Sequence, residues 1–161
     1  MRNGGFTYLG VVIMLAIISI TAAAGVQVGA IVQRRMIEEE LLVIGAEFRS
    51  ALASYANATP NGQARTPRSL LDLLKDPRYP STHRYLRKLY VDPVTGKSEW
   101  GTVPSPDGGI IGVYSLSNLK PIKIGNFDVM FQNFEGKTSY RDWQFTILLP
   151  APTSGLNTSH F

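Results

Sequence analysis

The stretch MRNGGFTYLGVVIMLAIISI, residues 1–20, carries one arginine and then enters a long apolar run. From Phe6 to Gln33, 28 positions carry no charged residue. A helix rises about 1.5 Å per residue, and about 20 apolar residues cross a bilayer core. The run therefore predicts a membrane-spanning helix. A buried helix of a soluble domain is the less favoured interpretation, because such helices are usually shorter and carry polar residues on one face.

A cleavable secretory signal is the second alternative for this run. Such signals have a basic start, an apolar core of about 7–15 residues and a small-residue cleavage site. Residues 22–24 are three alanines that could form such a site, but Val26, Val28, Ile31 and Val32 continue the apolar run beyond them. The length of the run therefore favours an uncleaved membrane helix over a removed signal.

The junction between the short polar leader and the apolar run has a recognisable pattern. Gly5 is followed by FTYL (6–9), and the helix begins without a linker. This motif resembles the processing site of type IV pilins and type II secretion pseudopilins. The resemblance implies a leader of residues 1–5, cleavage after Gly5 by a prepilin peptidase on the cytoplasmic side, and methylation of the new N-terminal Phe6. Residues 6–33 would then form a transmembrane helix that can also serve as a filament core.

The sequence departs from that family at two places in the helix. Members usually carry a glutamate at the fifth residue after the cut, whereas this chain has Gly10, and Gln27 stands where the family has a proline. The family's glutamate is thought to pair with the amine of a neighbouring subunit, which Gly10 cannot do. Gly25 and Gly29 form a G-x-x-x-G pair that permits close helix approach.

Apolar residues continue at helical spacing after the uncharged run: Leu41, Ile44, Phe48, Leu52 and Tyr55. This predicts an amphipathic helix over residues 34–56, with Glu38, Glu39 and Glu47 on its other faces. Short helices are predicted within 66–89, the first capped by Thr66 and the second covering 82–89.

Beyond Pro93, glycine, proline, asparagine and aspartate separate short β-rich segments. This pattern predicts an antiparallel sheet within 97–149. The expected strands are 97–103, 110–116 and 140–149, and the segment 122–131 is expected to be a weaker strand plus a long loop. In the last strand, Trp143, Phe145 and Ile147 alternate toward the core. The predicted fold class is therefore α+β, with a domain over 34–150 and a flexible tail over 151–161.

The order of elements also resembles pseudopilins, in which a long N-terminal helix packs on a small antiparallel sheet. DPVTG (92–96), Trp100-Gly101 and GVYS (112–115) look like the C-terminal half of the G-like kind. DPVTG also has a plain interpretation as a turn, which requires no function.

Residues for catalysis or metal binding are sparse. The chain has no cysteine, and its two histidines are His83 and His160. We expect no enzyme activity and no required cofactor. G-like pseudopilins typically bind calcium, and Asp128, Glu135 and Asp142 are the candidate ligands here. Because these carboxylates are scattered, we favour turn and solvent-facing roles for them.

Basic residues cluster near three tyrosines: Arg78, His83, Arg84, Arg87 and Lys88. Arg84, Arg87 and Lys88 are the candidate nucleic-acid contacts, because cations near aromatic rings suit phosphates and bases. A solvated surface is the favoured interpretation, and a nucleic-acid partner is not expected.

The sequence thus predicts a structural subunit of a type II secretion or related pseudopilus. Its expected location is the bacterial inner membrane, crossed once, with a periplasmic C-terminal domain that can be extracted into a filament. Expected partners are other pseudopilins or pilins, the prepilin peptidase, an inner-membrane assembly platform and membrane lipid. The alternatives are a DNA-binding minor type IV pilin and a signal-anchored periplasmic enzyme.

Overall fold

The computed structural model describes residues 4–60 and 62–148, and within the first helix it leaves the side chains of residues 4–7 and 20–28 undescribed. Over these residues the chain forms one long helix, α1 (Gly4–Asn57), followed by a small three-stranded antiparallel sheet and short 3₁₀ helices. The α+β class and the continuous N-terminal helix are therefore confirmed. At about 1.5 Å per residue, α1 is about 80 Å long.

The second half of α1 is embedded in the domain. Its buried residues follow the predicted helical spacing: Leu41, Ile44, Phe48, Ala51, Leu52, Tyr55 and Ala56. The opposite side of this half carries polar residues such as Glu47 and Ser50, which are exposed. This half is held by the burial of its apolar stripe, which supplies most of the stability of helices in proteins.

The sheet consists of β1 (Gly101–Pro104), β2 (Ile110–Tyr114) and β3 (Phe145–Thr146), in the order β1-β2-β3. Val113 on the central strand is fully buried and lies opposite Phe145 on β3. α1 packs against β2 and β3. The sheet is too small to be stable without that helix, because isolated two- or three-stranded sheets need a packed hydrophobic face.

An aromatic cluster fills the space between the helix and the chain that follows β2. Trp143 is fully buried and stacks on Phe134 with ring centroids 5.4 Å apart, while Phe131 and Phe145 make an edge contact at 5.7 Å. Trp143, Phe145 and Ile147 all point into the core, so the predicted alternation of this segment is confirmed.

Both predicted short helices differ from the structure. The first is a 3₁₀ helix over Leu70–Leu73 whose cap is Ser69, not Thr66. Thr66 is instead buried and donates a hydrogen bond to Asp107 at 2.9 Å. The predicted helix over 82–89 is wrong, because this segment is irregular chain. Its backbone N–H groups bond to another segment instead, since Tyr85 and Leu86 donate to the carbonyl of Leu73 at 2.8 and 3.0 Å.

The sheet is smaller than predicted over 97–149. The segment 122–131 contains no strand and ends in a 3₁₀ helix, Val129–Phe134. The third strand is reduced to β3, because a 3₁₀ helix at Tyr140–Asp142 precedes it. The predicted flexible tail, 151–161, lies outside the described residues.

The transmembrane part of the predicted architecture is not confirmed. Among the residues whose side chains are described, which leave out 4–7 and 20–28 of α1, no helical stretch is long and apolar enough to cross a membrane.

Candidate functional site

The first half of α1 carries its apolar side chains on the outside. Every described side chain from 8 to 19 and from 29 to 36 is exposed. The exposed fraction is 76% for Tyr8, 52% for Ile13 and 51% for Ile31. Monomeric soluble proteins rarely expose as many consecutive apolar side chains as residues 8–19 do, so such a surface indicates an interaction site.

The predicted processing and packing residues all lie on this half. Gly5, Phe6 and Gly25 belong to the backbone of α1, but their surroundings are outside the described side chains. Gly10 and Gly29 are exposed, and a Cβ added at either would meet nothing within 4 Å. Both positions therefore have room for a close neighbour or a larger side chain.

A buried carboxylate marks the point where α1 enters the domain. Glu38 is only 2% exposed. Its carboxylate accepts hydrogen bonds from the Tyr140 hydroxyl at 2.8 Å, from the backbone N–H of Lys123 at 3.1 Å and from the backbone N–H of Ile122. One turn earlier, Arg34 donates to the carbonyl of Lys120 at 3.1 Å.

These bonds join α1 to residues 118–126, which we call the basal loop. Burial and the neighbouring Glu38 carboxylate raise the pKa of Tyr140 to about 12, although Arg34 partly opposes this. Tyr140 is therefore a neutral donor to Glu38 at any physiological pH. The helix and the basal loop thus form one rigid joint at the base of the domain.

The sequence prediction placed Glu38 on a face away from the core, and that was wrong. Glu38 stands three residues before Leu41 and ten before Phe48, on the same helical stripe. The spacing therefore contained the signal for burial. The donors that compensate the carboxylate come from residues more than 80 positions away, and no local sequence pattern predicts them.

The opposite end of α1 is capped by a buried ion pair. Arg78 and Asp76 form a salt bridge of 2.6 Å, and their side chains are 7% and 0% exposed. Arg78 also donates to the carbonyl of Tyr55 at 3.0 Å, and its guanidinium lies 3.6 Å above the Tyr55 ring. A cation at a helix C-terminus interacts favourably with the unpaired carbonyls and the dipole.

The carboxyl and hydroxyl groups at this cap are strongly coupled. Burial acts to raise the pKa of Asp76, but hydrogen bonds from Arg78 hold that pKa below its ordinary value. Burial and the bond to Asp76 raise the pKa of Tyr85 to about 12. Tyr79 donates its hydroxyl to the carbonyl of Ala58, the residue that follows the last residue of α1. The cap therefore fixes where the helix ends.

The predicted basic cluster is divided by the structure. Arg78 is paired with Asp76 at the end of α1, whereas Arg84, Arg87 and Lys88 are exposed on irregular chain. His83 is exposed and stacks on Tyr79 at 4.6 Å. The three exposed cations leave a nucleic-acid contact sterically open.

The three candidate calcium ligands are exposed side chains in or beside short 3₁₀ helices. The side chain of Asp128 accepts a hydrogen bond from Val129 at the start of a 3₁₀ helix, and Asp142 lies within the 3₁₀ helix Tyr140–Asp142. Glu135 is exposed beside Gly125. Across the described part of the chain, no three His, Cys, Asp or Glu side chains converge in a way that could hold a metal ion.

The DPVTG segment, 92–96, is a turn anchored by a buried aspartate. Asp92 is fully buried, and it accepts from Val94, Thr95 and Ser115 at 2.9, 2.9 and 2.7 Å. The carbonyl of Asp92 accepts from Gly96, whose φ is +69°. This residue pattern is therefore explained by turn geometry and by its attachment to the chain after β2.

Comparison with known proteins gives no relative for this arrangement: no family model, no curated protein and no solved structure matches the chain.

Proposed function

We propose that this chain is a non-enzymatic, pilin-like structural subunit of a type II secretion or related pseudopilus. The observation that carries the proposal is the division of one continuous helix into two halves. The half up to residue 33 has no charged residue after Arg2, and its described side chains are exposed. The half from residue 38 onward is fixed in the domain at both ends, by Glu38 and by Arg78.

Such a helix can transmit force between a filament core and the domain. In the membrane, the uncharged half would lie in lipid, and its length suits a bilayer core. In a filament, the same half would pack against the helices of neighbouring subunits, with the domains outside. The rigid joint at Glu38 matters in both states, because movement of the helix then carries the domain with it.

The proposal places the chain in a bacterial inner membrane, with the domain in the periplasm. Its partners would be other pseudopilins or pilins, a prepilin peptidase and an assembly platform in the membrane. The function would be mechanical, and it requires no cofactor.

Processing of the N-terminus provides the most direct test. The chain is co-expressed with a prepilin peptidase, and the mature protein is examined by mass spectrometry. We expect cleavage between Gly5 and Phe6 and a methyl group on Phe6. Gly5→Arg should block the cut, because a long charged side chain replaces a hydrogen next to the scissile bond.

A matched substitution on the same helix separates processing from general damage. Gly10→Ala lies beyond the scissile bond and has free space around it, so it should leave cleavage intact. An intact Met1 on the mature protein, in cells that process other prepilins, would contradict the proposal.

A further inference from the structure

The basal loop has the composition of a membrane-surface contact. It contains two exposed apolar residues, Leu119 and Ile124, with exposed fractions of 57% and 65%. Lys120 and Lys123 lie between them in the sequence, and Lys120 is exposed. Segments that enter the headgroup region of a bilayer combine apolar side chains with cations in this way.

Hydrogen bonds with Arg34 and Glu38 hold this loop at the point where α1 leaves the domain. Arg34 binds the carbonyl of Lys120, and Glu38 binds the backbone of Ile122 and Lys123 and the hydroxyl of Tyr140. Arg34 immediately follows the uncharged run, which ends at Gln33. The loop therefore lies beside the helix at the end of the segment that the proposed function places in lipid.

The base of the domain carries charges of both signs. The cations on the loop and its immediate neighbours are Arg34, Arg35, Lys120, Lys123 and Arg141. Arg141 is exposed and donates to Asn118 at 3.4 Å. The carboxylates nearby are Glu38, Glu39, Glu40, Asp128, Glu135 and Asp142. The Glu38 charge is compensated internally by its three donors.

Two of the remaining carboxylates lie farther from the apolar run than Arg35 does. Glu39 and Glu40 lie a turn or more beyond Arg35 along α1, at a rise of about 6–8 Å farther from the apolar run. A groove of about 500 Å³ lies between α1 and the basal loop, and its charged lining residues are Arg35, Lys123, Glu38 and Glu39. On α1, Arg34 and Arg35 lie between the uncharged run and these carboxylates, and Arg34 binds the carbonyl of Lys120.

We propose that the base of the domain docks on anionic phospholipid headgroups, through Arg35, Lys120 and Lys123 and through the apolar tips Leu119 and Ile124. This inference rests on the proposed function, since it requires the uncharged run to be in a bilayer. Each lysine or arginine near an anionic surface strengthens such attachment about fivefold. Docking would set the orientation of the domain before a subunit leaves the membrane.

The test uses the full chain in lipid nanodiscs. The chain has no cysteine, so Ile124→Cys can carry a single environment-sensitive fluorophore. Discs of phosphatidylcholine alone are compared with discs of equal phosphatidylcholine and phosphatidylglycerol. We expect a blue-shifted emission and protection from a water-soluble quencher in the anionic discs only, and reversal of both by high salt.

A charge-matched pair of variants locates the contact. Arg35→Gln, Lys120→Gln and Lys123→Gln together should abolish the difference between the two lipids. Arg84→Gln, Arg87→Gln and Lys88→Gln remove three exposed cations elsewhere and should leave that difference unchanged. Near-ultraviolet circular dichroism of both variants checks that the domain is still folded.

The outcomes distinguish this inference from the function on which it rests. A chain that inserts into discs but gives the same emission in both lipids overturns the docking alone. Equal losses in the two triple variants also overturn it, because the attraction would then be a general effect of net charge. A chain that does not enter the discs at all overturns both proposals.

Discussion

Glu38 is a charged residue at a position that the apolar spacing of α1 assigns to the core. An isolated carboxylate in such a place is strongly unfavourable, and it becomes acceptable only when donors surround it. Tyr140 and the basal loop supply those donors. Leaving buried donors unpaired costs about 1–3 kcal/mol each, so these groups depend on one another. The identity of Glu38 therefore ties the helix to one arrangement of the loop.

Tyr140 gives this joint a pH dependence at alkaline pH. Its pKa is about 12 in the folded protein and 10.0 for the ordinary group. A raised folded pKa means that its stabilising contribution is fully present below pH 10 and is lost as pH rises through 12. At about 1.4 kcal/mol per pKa unit, the loss approaches about 3 kcal/mol.

We therefore expect the free energy of unfolding to fall between pH 10 and 12, and Tyr140→Phe to reduce that fall. The measurement is urea denaturation of a fragment from Gln33 onward, followed by tryptophan fluorescence. Tyr140→Phe should also cost about 1 kcal/mol at neutral pH, because one hydrogen bond to Glu38 is removed. The pKa of Tyr85 is also about 12, so its ionisation should still lower the stability of that variant at alkaline pH. If the free energy of unfolding of Tyr140→Phe fell as steeply between pH 10 and 12 as that of the parent, the Tyr140 hydroxyl would not be the titrating group.

At the scale of elements, α1 and β3 meet at a position that only glycine can occupy. Gly45 is buried on the inner stripe of α1, and a Cβ built there would collide with the ring of Phe145. The absence of a side chain allows the ring to lie directly on the helix backbone. This contact helps to orient β3, which is only two residues long and whose Phe145 also lies opposite Val113 and against Phe131.

Gly45→Ala should therefore destabilise the domain, although glycine to alanine normally stabilises a helix interior by about 1 kcal/mol. Overpacking of a core typically costs about 1–3 kcal/mol, and we expect a net loss within that range. Ser50→Ala on the exposed face of the same helix is the control, and its effect should stay within about 0.5 kcal/mol. Urea denaturation measures both.

A second substitution tests whether the collision is the cause. Phe145→Leu shortens the side chain that would be struck, so it should cost less stability in the Gly45→Ala background than in the parent. Additive effects would mean that Gly45 and Phe145 do not share the proposed contact.

The elements differ in how far the sequence could predict them. α1 was predictable because its apolar stripe repeats over many turns, and Trp143, Phe145 and Ile147 alternate clearly. The chain at 82–89 looked helical from its apolar spacing, but Tyr85 and Leu86 instead bond to Leu73. Arg78 looked like a surface cation, and only the fold shows that it caps a helix ending more than 20 residues earlier. Such long-range partners have no local signature.

At the scale of the whole molecule, the two halves of α1 have opposite requirements. The apolar stripe of the C-terminal half is buried against the domain, whereas the N-terminal half exposes large side chains such as Leu9, Met14 and Leu15. Burying that surface needs lipid or other helices. In the family that the junction resembles, a glutamate near the new N-terminus pairs with the amine of a neighbour. This chain has Gly10 there, and Gly10 lies in open space.

This asymmetry predicts how the chain assembles. If the chain is processed as proposed, it can offer its own amine to the glutamate of a neighbour, but Gly10 provides no carboxylate to receive one. A carboxylate in an apolar environment is stable mainly when it is paired, so the missing half of the pair weakens contacts between identical copies. We expect the chain to polymerise poorly alone and to enter filaments that contain a glutamate-bearing subunit. Expression with an assembly system, with and without such a subunit, followed by electron microscopy of sheared filaments, measures this.

Gly10→Glu should increase self-assembly, because it restores the missing carboxylate at a position where an added Cβ meets no atom within 4 Å. Gly29→Glu is the matched control, since Gly29 lies on the same helix and is equally free of neighbours. It adds the same charge far from the N-terminal amine, and it should not promote filaments. Long filaments of the unaltered chain alone would contradict the prediction, and so would equal behaviour of the two glutamate variants. If only Gly10→Glu assembles, the pairing of amine and carboxylate determines which neighbours this subunit can have in a filament.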